Sequence, residues 1–196
     1  MMRGTEIQKY KRLNELAEQG GIVIFGTGDD KAIPVGELRQ AFAIEQKMYN
    51  RSFTNLSITD AIDVYEETIA PLSPETVLIH LGETDKSLFE NDNAAFDNAY
   101  RSLLTYIKRQ NINCRIAVVS LQNYDDVQLI SNINNHLKYI AESEHCEYGD
   151  IASKKVWNPK STMDAVSFVY SLGFVRPLKN KRPLYDLVRM SFCYGF

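Results

Sequence analysis

The chain is poor in the residues that most often mark chemistry. Its three cysteines, Cys114, Cys146 and Cys193, are far apart and show no CxxC spacing. That excludes a zinc ribbon or a disulfide frame and predicts reduced, mostly buried thiols of a cytoplasmic protein. The three histidines, His80, His136 and His145, form no pair at metal-ligand spacing, so neither a metal nor another cofactor is expected. No apolar run approaches the length that spans a bilayer. The first residues are polar, with no apolar h-region, so neither a membrane partner nor a secretory signal is expected. With a formal net charge of −3, the chain also lacks the basic excess that nucleic acid demands of its main partner. Linkers, internal repeats and low-complexity tracts are absent too, and 196 residues are most economically one domain, 1–196.

The charge is unevenly spread. Between residues 154 and 189 stand Lys154, Lys155, Lys160, Arg176, Lys179, Lys181, Arg182 and Arg189, opposed only by Asp164 and Asp186. Such a stretch is either a solvated basic face or a contact for an anionic ligand or acidic partner.

What the sequence does carry is a regular alternation of element types. Ile7, Tyr10, Leu13 and Ala17 recur at helical spacing and predict a helix over 5–19, closed by Gly20-Gly21. Ile22-Val23-Ile24-Phe25 reads as a strand buried on both faces, ending in the turn-rich Gly26-Thr27-Gly28-Asp29-Asp30. Leu38, Phe42 and Ile44 suggest a second helix, and Lys47-Met48-Tyr49-Asn50 a second strand. Ser57 to Asp60 has the form of a capping box, opening a helix with Ala61, Ile62, Tyr65 and Ile69 that Pro71 and Pro74 stop.

A third strand, residues 76–81, ends at Gly82-Glu83-Thr84-Asp85. A helix carrying Phe96, Ala99, Leu103, Leu104 and Ile107 leads to a fourth strand over 115–120. Ile130, Ile133, Leu137, Ile140 and Ala141 mark the next helix, Glu147 to Ile151 a short fifth strand, and helices are predicted near 166–172 and 184–192. Strands alternating with helices at this spacing imply right-handed βαβ crossovers. The predicted fold is therefore a three-layer α/β/α domain with a five-stranded parallel sheet, in the flavodoxin-like order 2-1-3-4-5.

In such a sheet ligands bind beyond the carboxyl ends of the strands. The segments 26–30, 50–55 and 82–85 should meet at one rim, within reach of the loop 161–167. A dinucleotide site is suggested by Gly26-Thr27-Gly28 after a strand. Lys31 stands where the fingerprint needs its third glycine, however, and Asn50 where an acid would take the ribose.

The rim segments also have the order and type of the SGNH/GDSL hydrolase blocks, and the resemblance covers roughly residues 21–174. Asn50-Arg51-Ser52-Phe53 resembles the second block, with Asn55 in place of the oxyanion glycine. Gly82-Glu83-Thr84-Asp85 resembles the third, with Thr84 in place of the oxyanion asparagine. Asp164-Ala165-Val166-Ser167, followed by Gly173-Phe174, resembles the last block, which implies Asp164 as the triad acid and puts Ser167 where the histidine belongs. The first block has two registers. Gly26-Thr27-Gly28 puts Gly28 at the nucleophile position, and Gly28-Asp29-Asp30 puts Asp30 there; neither supplies a serine.

In the family the histidine takes the serine proton and the acid orients it. Losing the serine or histidine of such a triad costs about 10⁶-fold in turnover. The resemblance therefore implies a protein inactive or very weak as an esterase, binding a small ligand at the former esterase rim. The ligand class implied is an acylated carbohydrate or lipid. Two alternatives stay open. One is an active acyl-ester hydrolase in which Thr27, Asp30 or His80 takes a new role, and the other is a nucleotide-binding Rossmann-like domain.

Further rim groups carry narrower expectations. His80 reads as a buried, hydrogen-bonded strand residue, and His136 and His145 as surface or capping residues. If Asp29, Asp30, Glu83, Asp85 and Asp164 converge, they can hold a hard cation, or Asp30 can serve as a carboxylate nucleophile; otherwise they are loop and cap residues. Thr84 has a hydroxyl proton to give to an oxyanion. Trp157 and the aromatics of the tail read as helix faces packed on the sheet, or as part of a ligand wall.

Overall fold

A computed structural model describes residues 2–41, 43–122 and 126–152. The predicted features of the tail lie outside the described residues: the basic stretch, Trp157, Asp164, Ser167 and the two last helices.

Along the described chain run α1 (Met2–Asn14), β1 (Ile22–Gly26), α2 (Val35–Ala41), β2 (Met48–Asn50), α3 (Ala61–Thr68), β3 (Thr76–His80), α4 (Lys86–Asn91), α5 (Asn93–Gln110), β4 (Arg115–Val119), α6 (Val127–Ser143) and β5 (Glu147–Gly149). The five strands form one sheet in the order β2-β1-β3-β4-β5, with every pair parallel. This is the predicted order, and its central strands are buried throughout. Val23, Phe25, Val77 and Ile79 face a large core, where they meet Phe96, Leu103 and Leu104 of α5 and Ile133 and Leu137 of α6. Ile22, Ile24, Leu78 and Val119 face the opposite side, where Leu38 of α2 packs with Ile33 and Ile44. Strand residues alternate between faces, so an uninterrupted apolar run is what a sheet covered on both sides requires.

Some elements differ from expectation. The first helix ends at Asn14 rather than near residue 19, and Leu13 is 41% exposed instead of joining the core. The chain must turn to enter β1, and it does so through Gly20 and Gly21, both at positive φ (87° and 78°). At Gly21 a Cβ would stand 2.4 Å from the Lys47 carbonyl oxygen, so only glycine fits. The second helix stops at Ala41; Ile44 is buried beyond it, after Ala43 at φ 47°, and Phe42 lies outside the described residues. The short α4 is an element that the sequence reading does not contain; it is divided from α5 by Asp92. Its side chain caps α5 by accepting from the Ala95 amide at 2.9 Å.

Candidate functional site at the carboxyl rim of the sheet

The three rim segments meet as topology requires. Beyond β1, Thr27 bridges Phe53, with Gly28 N donating to the Phe53 carbonyl (2.9 Å) and Phe53 N to that of Gly26 (3.0 Å). The loop after β2 is joined to that after β3 through Thr84 and Asp85. Gly26, Thr27, Gly28, Asn55, Gly82, Glu83 and Thr84 thus share one edge of the sheet, but their side chains do different work.

Asp30 turns back under the rim. It is buried, and its Oδ2 accepts from the Thr27 amide at 3.0 Å and lies 2.8 Å from His80 Nδ1. The sequence permits this because Gly26 has no side chain: a Cβ there would stand 2.0 Å from Asp30 Oδ2. Gly26 and His80 are paired neighbours on β1 and β3, so the backbone register itself brings the imidazole to the carboxylate. Burial pushes the His80 imidazole down, but Asp30, Glu83 and a hydrogen bond to the Ser120 backbone together hold it above its ordinary value. A buried, hydrogen-bonded strand histidine is what the sequence suggested; its charged partner was not identified. Thr27 is also buried, its Oγ1 accepting from the Leu56 amide at 3.1 Å.

Gly28 is half-buried and holds φ 60°. A Cβ built on it would meet a single neighbour within 4 Å, Glu83 Oε2 at 3.6 Å. Glu83, Asp29 and Asn55 are exposed. The open part of the rim is therefore a glycine overlooked by a carboxylate, with a second acid, Asp29, next in the chain and the Asn55 amide on the loop after β2.

At the third block Thr84 needs correction, while Asp85 takes the loop-and-cap alternative. Thr84 does not hold a free proton for an oxyanion, because its Oγ1 donates to the Leu56 carbonyl at 2.7 Å. Asp85 does not join a cluster of rim acids. It is buried, accepting from Ser57 Oγ at 2.5 Å and from the Ile58 amide at 3.1 and 3.2 Å. Asp85 thereby completes the N-terminal cap of the short 3-10 turn Ile58–Asp60 that leads into α3. The capping box expected within Ser57 to Asp60 draws its acid from across the rim, while Asp60 pairs with Arg3 of α1 instead. Gly82 makes the turn that delivers Asp85, at φ 119°, with its missing Cβ 3.3 Å from the Phe96 ring.

The described rim acids do not gather into a metal-binding group. Asp30 and Asp85 point into separate buried hydrogen-bond sets, and among the described residues no three His, Cys, Asp or Glu side chains are grouped to hold a metal ion. Asp164 and Ser167 lie outside the described residues. His136 is not a simple surface residue: its Nδ1 lies 3.0 Å from both Asp97 oxygens and its ring packs edge-on against Phe89. His145 is exposed just beyond α6, at φ 53°.

Sequence reasoning also missed how closely α1 is tied to the second block. Arg51 is buried, its guanidinium donating to Asn14 Oδ1 at 2.8 and 3.1 Å and lying over the rings of Tyr10 and Tyr49. Tyr10 Oη donates to the Ser52 carbonyl at 2.5 Å. An arginine and two tyrosines near a rim were available as a signal, but their sequence separation concealed it.

No protein-family model matches the sequence, and no curated protein does. Solved structures do resemble it in three dimensions. A protein from Streptococcus pneumonia, provisionally described as a platelet activating factor, is 12% identical over 98% of this chain and 93% of its own, with a TM-score of 0.69. A GDSL-like lipase from Bacteroides thetaiotaomicron is 15% identical over 86% of this chain and 98% of its own, with a TM-score of 0.59. A catalytic mutant of an acetylxylan esterase from Geobacillus stearothermophilus is 14% identical over 84% and 97%, with a TM-score of 0.57. These likenesses disfavour the Rossmann-like alternative and extend over nearly the whole length of the compared structures. With the strand order and the parallel sheet, they show that this chain has the fold of the SGNH/GDSL hydrolases.

Proposed function

We propose that this protein is a non-catalytic, or at best very weak, SGNH-fold protein that binds a small ligand at the former esterase rim. One observation carries this: beyond β1 the open position, Gly28, has no side chain, and the hydroxyl and carboxylate beside it, Thr27 and Asp30, are buried in backbone-anchored hydrogen bonds. A nucleophile must reach the substrate and give its proton to a base. Thr27 and Asp30 face inward instead.

The electrostatics favour the same reading. Acyl transfer develops negative charge on the carbonyl oxygen, which donors must stabilise. Thr84 spends its proton on Leu56, and the Glu83 carboxylate overlooks Gly28, where it would oppose an oxyanion. Glu83 and Asn55 suit a hydroxyl-rich ligand better than a reacting ester, consistent with an acylated carbohydrate or lipid headgroup as the class to test. Purified protein assayed with p-nitrophenyl acetate and butyrate should release product at the buffer rate, and Thr27→Val should match wild type. Saturable turnover lost in Thr27→Val would overturn the proposal.

A second reading has one specific observation in its favour, the 2.8 Å separation of Asp30 from His80. There the pair would act as carboxylate and base in an active hydrolase. It requires turnover that Asp30→Asn abolishes while the fold is retained.

A further inference from the structure

The N-terminal helix is unusual in how it is held. Among its described side chains Tyr10 is buried, packed edge-on against Phe53 at 5.2 Å between centroids, and Ile7 is partly buried against the same core. Its other ties are largely polar and fall on one helical stripe: Arg3 to Asp60 (2.5 Å), Glu6 to Lys31 (2.5 Å) and Thr54 Oγ1 (2.7 Å), Lys11 to Glu67 (2.5 Å), and Asn14 to Arg51 and the Thr68 carbonyl (2.8 Å). Arg3, Glu6, Tyr10 and Asn14 recur three and four apart along that stripe, with Lys11 at its edge.

Glu6 is the informative member. Lys31 belongs to the loop after β1 and Thr54 to the loop after β2, the segments that carry Gly28 and Asn55. A single carboxylate on α1 bridges the two, and Lys31 Nζ also donates to Thr54 Oγ1 at 2.6 Å. Burial alone would push the Glu6 carboxyl up, but hydrogen bonds from Lys31 and Thr54 and the lysine charge hold it below its ordinary value, so it stays ionised in the bridge. Further along the helix, Tyr10 holds the Ser52 carbonyl and Asn14 the Arg51 guanidinium. The backbone from Arg51 to Thr54 is thus fastened to α1 at successive points.

We propose that α1 is a releasable clamp on the rim: docked, it holds together Lys31 and Thr54, on the outer parts of the loops after β1 and β2, and undocked, it frees them while the Thr27–Phe53 bridge stays closed. Exposed ion pairs stabilise little and weaken with salt, and elements with few buried apolar contacts open at lower free energy than the sheet. The helix therefore opens as a unit of its own while β1 and β3 stay closed, and it frees Thr54, whose amide donates to Glu6, but not Arg51 and Phe53, whose amides donate to the Ile24 and Gly26 carbonyls. Only the statement that this governs ligand access rests on the function proposed above; the opening itself does not.

Native-state hydrogen exchange of the full chain, followed by mass spectrometry, tests this without any ligand. Gln8 is exposed on the solvent side of α1, so Gln8→Pro breaks the helix without removing a rim contact. Exchange in α1 should rise about a hundredfold, the equivalent of the ~3 kcal/mol that an interior proline costs. The Thr54 amide should accelerate with it, the amides of Arg51, Phe53, β1 and β3 should not, and raising salt in wild type should act in the same direction. Two results would overturn the clamp: α1 accelerating while the Thr54 amide stays protected, or α1 exchanging only together with β1 and β3. If Gln8→Pro does not fold, Gln8→Gly gives the same comparison at about fivefold acceleration.

Discussion

Replacing Asp30 by asparagine should change the charge state of His80 and, with it, how stability depends on pH. Both side chains are about nine-tenths buried, at 10% and 11% exposure, and their 2.8 Å contact is the imidazole's nearest charged interaction. In wild type the folded state holds His80 above its ordinary 6.5. A raised folded value means that the pair's contribution is fully present below pH 6.5 and is lost as pH rises through the folded value. Asparagine occupies the same space and its oxygen can still accept from Thr27 N. What goes is a hydrogen bond to a charged group, worth about 1.5–3 kcal/mol. The larger penalty of about 3–5 kcal/mol for an unpaired buried charge is avoided, because His80 can shed its proton. At pH 6 the variant should therefore lose about 2 kcal/mol, moving a urea midpoint down by about 1 M for an m-value near 2 kcal/mol/M. As pH rises through the folded value the gap should narrow, since wild type then loses the charged pair as well. Proton NMR of the imidazole should show His80 titrating below 6.5 in the variant. Equal urea midpoints at pH 6, together with an unchanged His80 titration, would refute the reasoning.

Other perturbations have defined outcomes. Gly26→Ala puts a methyl 2.0 Å from Asp30 Oδ2, so it should expel the carboxylate and cost at least as much as Asp30→Asn; combined, the two should be clearly less than additive in urea unfolding. Asp85→Ala strips Ser57 and Ile58 of their acceptor and should cost about 2–3 kcal/mol, seen as a fall of roughly 4–12 °C in Tm. Arg51→Lys keeps the charge but loses the two-pronged donation to Asn14 and the planar contact with Tyr10 and Tyr49. It should cost about 1–2 kcal/mol by urea unfolding, although lysine is the conventional substitute.

The fold was legible because its signal is local. A strand buried on both faces is a short apolar run, and the runs at 22–25, 76–81 and 115–120 each mark a strand of the sheet, while 47–50, polar at both ends, marks the half-buried strand β2. The α5 and α6 stripes were legible for the same reason, through Leu103, Leu104 and Ile107 and through Ile130, Ile133 and Leu137. The rim was legible in position, because topology alone brings 26–30, 50–55 and 82–85 together. It was not legible in detail. Whether Asp30 faces solvent or His80 depends on the absent Cβ of Gly26, a residue four positions away. Whether Thr84 donates to a ligand or to Leu56 depends on a loop 28 residues earlier in the chain. The tie between Asp85 and Ser57 spans the same distance, so the cap could be seen at Ser57 but its acid was sought at Asp60. The end of α1 was misread because hydrophobic spacing continues through Leu13 and Ala17, while the chain needs two positive-φ glycines and a turn to enter β1.

The most direct test of the central claim is whether any side chain at the rim acts as a nucleophile. Full-length protein incubated with a fluorophosphonate probe and measured by intact mass should remain unmodified, while an active SGNH esterase treated in parallel gains the full adduct. A stoichiometric adduct mapping to Thr27, or to any other residue at the rim, would contradict the account and establish a working hydrolase in place of a binding protein.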